Sequence, residues 1–300
     1  MRGSAAMETI AAAVAARHGI PPADVSPLPA GAANHVLALG ESLVLRIPRG
    51  PDHEADLRKE AALIPVVRAA GVLTPELVEY RGGEPPTMLL ERLPGTDLVG
   101  RTPGRDVLLD LGRRLAALHA VPADALPGLP RETGEPDPAA LVGRVHAAGY
   151  IDADTAGLLR AWCAGLAPLV PAAAAPAPVH GDIAPQNLIV TPEGALAGIV
   201  DWGDAAVADP ATDFAKLPPA WLPAVLEGYG APGAEARVLW HHLAWALGRL
   251  LRPDPVRGRR HWTAPPLSRI LALLLFFASG PPDPWPRLGP GALPSAPAAG

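Results

Sequence analysis

The sequence predicts an α+β fold, a small N-terminal antiparallel sheet with one helix packed on it followed by a larger, mainly helical C-terminal part. Three observations carry this. Before residue 93 the chain reads as short alternating apolar runs broken by Gly and Pro; beyond 94 most apolar positions recur at helical spacing; Pro94-Gly95 separates the two. The 300 residues, 49% hydrophobic, suffice for one large or two modest domains with a real core.

The elements follow in order. Met1 to His18 reads as an alanine-rich helix. A-A-N-H-V-L-A-L and S-L-V-L-R-I-P are alternating strands joined at Gly40-Glu41, a hairpin signature. Glu54 to Gly71 follows helical spacing and stops on Gly, with Pro65 inside, where a kink or a split is expected. E-L-V-E-Y and T-M-L-L-E-R-L complete a first part of residues 1–93, and the resemblance given below implies a hinge between two lobes at about 88–95. In the second part, 94–300, Arg105 to Ala120 is amphipathic, with Val107, Leu108, Leu111, Leu115 and Leu118 at helical spacing. A helical segment, 122–178, contains helices near 139–148 and 152–169. Strands V-H-G-D-I-A-P-Q-N-L-I-V and L-A-G-I-V-D then form one compact β unit. Helices near 210–217, 219–229, 233–252 and 265–279 follow, and a Pro- and Gly-rich tail from about 280 reads as loosely ordered.

Bulk properties narrow the function. A formal charge of −5 weighs against a nucleic-acid partner, because phosphate backbones call for a basic face. All the basic residues except Lys59 and Lys216 are Arg, a bias of the kind a GC-rich genome imposes, so Ala and Pro carry little functional weight. Cys163 is the one cysteine and lies in the apolar A-W-C-A-G-L, as a buried structural thiol would. The N-terminal apolar stretch is short and preceded by Glu8, unlike a signal peptide, and Ile270 to Ala278 is too short to cross a bilayer. The expectation is a cytoplasmic protein without a membrane partner, a monomer or weak dimer.

The chemistry gathers in Val179 to Val190. Asp182 and Asn187 are spaced D-x-x-x-x-N, and Asp201 follows fourteen residues later at a strand end, in G-I-V-D-W. Phosphoryl transfer needs a carboxylate for the hydroxyl proton, and an amide oxygen with a second carboxylate to hold magnesium against the phosphates. The protein-kinase pattern supplies that set in that order. Asp182 is then the catalytic base, with Asn187 and Asp201 as metal ligands. The sequence has no Walker loop, H-E-x-x-H, C-x-x-C pair or G-x-S-x-G, which removes the main rival phosphate, zinc and acyl-transfer readings.

V-H-G-D-I-A-P-Q-N-L-I-V together with I-V-D-W-G-D-A-A-V-A-D-P-A-T-D-F-A resembles the antibiotic-phosphorylating kinases, the aminoglycoside and macrolide phosphotransferases. The likeness covers roughly Leu28 to Leu250 and implies a two-lobed, protein-kinase-like fold binding Mg2+ and ATP or GTP. It implies that G-A-A-N-H-V, including Gly31 and Asn34, covers the nucleotide phosphates. Arg46 takes the place of the cation on the α- and β-phosphates, with Glu60 as its helix partner. Kinases usually have Lys there, and L-R-I-P-R looks more like the macrolide branch. Backbone groups of Glu91 to Leu93 would meet the purine edge. His180 would brace the loop, and Asp209 and Asp213 would cap and anchor a helix, Asp213 tying down the catalytic loop. Gln186 is left without a role.

The acceptor is the thinnest reading. After Phe214 stand only four carboxylates, Glu227, Glu235, Asp254 and Asp283, against Lys216 and eight Arg. A polycationic aminoglycoside calls for the opposite balance. A bulky, less cationic antibiotic, macrolide-like or nucleoside, is therefore expected. A metabolic kinase of the choline or homoserine sort and a catalytically silent nucleotide-binding module are the alternatives. Trp221, Trp240, Trp245 and Trp262 read as core rather than a cofactor box.

Overall fold

The computed structural model describes residues 2–29, 33–126, 128–251 and 266–292. Met1, Gly31, Asp254 and Trp262, named above, lie outside the described residues. Helix α1 (Arg2–Arg17) and strand β1 (Val25–Pro27) lead into the hairpin of β2 (Asn34–Leu39) and β3 (Leu43–Pro48). Helix α2 (Glu54–Ala69), β4 (Leu77–Arg81) and β5 (Thr87–Glu91) complete the lobe. The five strands form an antiparallel sheet in the order β1-β2-β3-β5-β4.

Two helices, not one, cover this sheet. Leu37, Leu39, Leu45, Ile47 and Leu89 pack with Ala11, Val14 and Ala15 of α1. Met88 and Leu90, on the other face, join the core that includes Leu57, Ile64 and Val67 of α2. The strands are apolar at successive positions, so each face needs a cover. β1 escapes a pattern reading because three residues cannot show a period. Helix α2 is not split at Pro65. A proline there removes one donor, but Leu57, Ala61, Ile64 and Val67 keep one buried face across it.

The second lobe begins with β6 (Thr96–Asp97) and continues through α3 (Arg105–His119), α4 (Pro138–Ala147) and α5 (Ala153–Leu166). Asp137 and Asp152 cap α4 and α5 by accepting the amides of Ala140 at 2.9 Å and Thr155 at 2.8 Å. Then come β7 (Ala177–Val179), β8 (Leu188–Val190), β9 (Leu196–Ile199), β10 (Ala206–Ala208), α6 (Leu222–Tyr229), α7 (Glu235–Leu250) and α8 (Pro266–Ala278). The expected single β unit is two sheets: β7 pairs with β10, while β8 pairs with β9 and with β6. The functional loop therefore bridges two small sheets. Residues 210–217 hold a 3-10 turn, Pro210–Phe214, instead of an α-helix.

Helices α3 and α6 cross closely because two glycines face the crossing. A Cβ at Gly112 would enter the carbonyl of Val225, and one at Gly228 the carbonyl of Leu109. The tail expected to be loose from 280 is packed as far as it is described. Trp285 is 2% exposed and meets the Phe276 ring edge-on, and the Trp162 indole donates to the Leu288 carbonyl at 2.7 Å. Its Pro and Gly content hid an aromatic anchor. Among the described residues no helix is long and apolar enough to cross a membrane.

Candidate active site

Between β7 and β8 the chain folds into a loop whose polar groups are almost all engaged with one another. The Asn187 amide donates to the Asp182 carbonyl and to Asp182 Oδ2, each at 2.8 Å. Asp182 Oδ1 accepts from Lys216 Nζ at 2.6 Å, and the same ammonium donates to the Gly181 carbonyl at 2.7 Å. His180 is fully buried; its Nδ1 accepts the Asp182 amide at 3.2 Å, and its Nε2 donates to the Val200 carbonyl at 3.1 Å. One imidazole thus ties the loop to the residue preceding Asp201. That pattern requires the tautomer with its proton on Nε2.

Asp213 supports the loop from below. Its Oδ1 accepts the Gly181 amide at 2.7 Å, and its Oδ2 accepts the His180 amide at 2.9 Å and His119 Nε2 at 3.0 Å. Full burial acts to raise its pKa. The hydrogen bond from His119 and the electrostatic pull of His119 and His180 outweigh that and hold it below the usual carboxylate range. His119 ends α3, and its Nδ1 accepts the Tyr229 hydroxyl of α6 at 2.9 Å. The tight α3/α6 crossing therefore sets the height of the loop. Gly181 turns the chain with φ 78°, and a Cβ there would enter the Asp204 carbonyl.

Asp201 stands at the end of the strand run in a left-handed conformation, φ 69° and ψ 71°, the one non-glycine residue of positive φ among the described residues. Such strain persists where surrounding structure over-determines it and clusters at functional sites. Its carboxylate is half exposed and accepts Arg46 Nη2 at 2.7 Å. The other Arg46 amine donates to Glu60 Oε1, which also accepts the Trp202 amide at 3.1 Å. Burial pushes the Glu60 carboxyl up, with Asp201 adding to it and Arg46 opposing. Burial works against the Arg46 charge, yet Glu60 and Asp201 hold the guanidinium above its ordinary value. A fork of donors can bridge two carboxylates from different lobes, which a single ammonium does less well. That is a structural reason for Arg at this place.

The remaining expected residues are spread more widely. Asn34 is buried in β2, across from Pro48, and its Oδ1 has no partner; Arg46 Nε is likewise unsatisfied. At the hinge the Glu91 amide already donates to Glu76 at 2.9 Å and the Arg92 amide to Ser42 at 2.7 Å. Of the three hinge amides, that of Leu93 makes no backbone hydrogen bond among the described residues. A ligand edge expecting the Glu91 amide meets one that is spent. Asp209 caps the 3-10 turn through Ala211 at 2.8 Å and accepts Arg237 Nε of α7 at 2.6 Å. Both side-chain ends of Gln186 are buried without partners.

Pattern reading gave no role in this site to Lys216, His119, Tyr229 or Arg269. Arg269 donates to the Lys216 carbonyl at 2.8 Å and lies 4.7 Å over the Trp245 ring. Burial lowers it to about 10, still cationic at neutral pH. Lys216 alone carried a signal, as one of two lysines among many arginines.

The profile of a phosphotransferase enzyme family matches residues 24–246. The chain belongs to that family. The fold agrees: the GDP complex of wild-type aminoglycoside 2'-phosphotransferase-IIIa superposes with a TM-score of 0.63 at 21% identity, covering 82% of this chain and 91% of that one. The macrolide 2'-phosphotransferase MphH from Brachybacterium faecium gives a TM-score of 0.57 at 25% identity, over 79% and 90%. The GDP and kanamycin complex of APH(2")-IIia gives a TM-score of 0.59 at 20% identity, over 85% and 93%. The uncharacterized protein YcbJ of Bacillus subtilis (strain 168) is 44% identical over 36 residues, 12% of each chain. Family and fold place this protein among phosphotransferases of the kinase type.

Proposed function

We propose that this protein transfers the γ-phosphoryl group of ATP or GTP to a hydroxyl of a small molecule, an antibiotic that it thereby inactivates. The observation that carries the reading is that Asn187 bonds the Asp182 carboxylate while its backbone carbonyl accepts the amide of Val200, the residue before Asp201, with the Arg46–Glu60 pair joined on through Asp201. The acceptor oxygen bonds to the γ-phosphorus as the bond from that phosphorus to the β,γ-bridging oxygen breaks. The hydroxyl proton goes to the Asp182 carboxylate, and the electron pair leaves on the nucleoside diphosphate.

The donor set suits magnesium. Asp201 offers a half-exposed carboxylate, and the Asn187 bonds run through Nδ2, which leaves Oδ1 uncommitted. Two hard oxygens are what a cation needs that takes its other positions from water and phosphate. When bound between Asn187 and Asp201, the ion would neutralise charge on the phosphates. Arg46 would contact the α- and β-phosphates, Asn34 would cover them, and Leu93 would offer its amide to the base.

For the acceptor we favour a macrolide-like or nucleoside antibiotic over an aminoglycoside. Lys216 contacts Asp182, Arg269 holds the Lys216 carbonyl, and beyond Phe214 the sequence has four carboxylates against Lys216 and eight Arg. Polycations prefer a carboxylate-lined cleft. Incubation with ATP or GTP, magnesium and an antibiotic panel, read by mass spectrometry for one added phosphoryl group, tests this. Wild type should modify a less cationic compound, and Asp182→Ala should lose about 10²–10⁴-fold in turnover while still binding nucleotide. Preference for aminoglycosides would sink the substrate reading; full activity of Asp182→Ala would sink the base assignment.

A further inference from the structure

Resting on that phosphotransfer reading, we propose that Lys216 is a catalytic residue whose ammonium binds the transferred γ-phosphoryl group. No other cation among the described residues touches Asp182; Arg46 is bound to Glu60 and Asp201, and Arg269 to the Lys216 carbonyl.

Distance makes the assignment. A hydroxyl that gives its proton to Asp182 lies one hydrogen bond from that carboxylate, with the phosphorus about 3–3.5 Å from the hydroxyl oxygen. Lys216 Nζ is itself 2.6 Å from Asp182 Oδ1, so the equatorial oxygens of the moving phosphoryl group pass within its reach. An ammonium has three donors, and two are used, on Asp182 and on the Gly181 carbonyl. The third has no partner among the described residues. The side chain is 16% exposed, so it keeps some access to solvent.

The anchoring is divided in a way that suits the task. Arg269, stacked on Trp245, fixes the Lys216 backbone from α8, while the four-carbon stem stays free to re-aim. Before nucleotide binds, the ammonium occupies Asp182 Oδ1. With the triphosphate in place it turns toward the γ-oxygens, and Oδ1 becomes free for the acceptor hydroxyl. The lysine keeps all its protons throughout; the charge it meets is the one that grows on the phosphoryl oxygens. In a chain that uses Arg at nearly every other basic position, a compact point charge stands at this one.

The test compares binding of a non-hydrolysable triphosphate analogue with that of the diphosphate, both with magnesium, by calorimetry. Lys216→Gln should lower the triphosphate-to-diphosphate preference by about tenfold. Its kcat should fall about 10²-fold, with the acceptor KM unchanged. An unchanged preference would overturn the proposal. A folding-independent measurement uses the native sequence with its two lysines labelled with 13C and 15N, Lys59 being assigned by Lys59→Arg. The triphosphate analogue should shift the Lys216 resonance and the diphosphate should not; equal shifts, or none, would also overturn it. Failure of wild type to bind any nucleotide would instead defeat the phosphotransfer reading, whereas binding with an unchanged preference defeats only the role of Lys216.

Discussion

Asp213 and His119 meet at 3.0 Å with both side chains buried, and the carboxylate also accepts the amides of His180 and Gly181 in the Asp182 loop. Their contact joins the end of α3 to the stretch His180–Gly181, next to Asp182. The loop is therefore positioned by the packing of the helical lobe as much as by its own strands.

Asp213→Asn tests that support. The substituted amide group must point a donor at one of three donors, which leaves a buried mismatch costing about 3 kcal/mol. Urea unfolding at neutral pH should show that loss, with turnover falling further than nucleotide affinity. The sign with pH follows from the depressed carboxyl. Its stabilisation is complete above the ordinary carboxylate value, about pH 4, and is lost as the pH falls through the lower folded value. Wild type should thus lose more stability than the variant below about pH 4. Equal unfolding midpoints for the two at neutral pH would show that Asp213 supports nothing.

The chain made the centre of this site readable and concealed its supports for a simple reason of distance. Asp182 and Asn187 are five residues apart, so their chemistry is a local spacing. Lys216 lies 34 residues from Asp182, His119 94 from Asp213, and Tyr229 110 from His119. No periodicity connects such pairs; only the α3/α6 crossing and the two small sheets bring them together. The main helices were legible because an apolar face repeats along them. β1, β6 and β10 were not, since two or three residues carry no alternation. The tail misled because Pro and Gly report on backbone freedom, whereas Trp285 decides by burial.

Arg46→Lys addresses the place where kinases usually carry Lys. The guanidinium reaches Glu60 with one amine and Asp201 with the other. An ammonium on a shorter head can satisfy one of them well, which leaves the fully buried Glu60 or the strained Asp201 short of a partner. We expect a stability loss of about 2 kcal/mol and nucleotide affinity weakened by about tenfold. Differential scanning calorimetry and nucleotide titration read the two effects. A variant as stable as wild type with unaltered affinity would mean that the fork geometry is dispensable.

His242 gives a prediction in pH alone. Its ring is fully buried in α7, Nε2 donates to the Leu217 carbonyl at 2.8 Å, and Nδ1 is buried without a partner. Burial lowers its pKa to about 4, with the charge of Arg269 adding to the effect. A proton on Nδ1 would be a buried charge with no acceptor, so the folded protein prefers the neutral ring. The unfolded chain takes up that proton near pH 6.5, its ordinary value, which means that the unfolded state binds more protons between 6.5 and about 4. Stability is complete above pH 6.5 and falls as the pH drops through that window, by about 3 kcal/mol at its lower end. His242→Gln keeps a donor for Leu217 and has no proton to gain. Urea titrations at pH 7 and pH 5 should therefore show a steeper acid loss for wild type than for the variant. Parallel losses in the two proteins would assign the acid sensitivity to other groups.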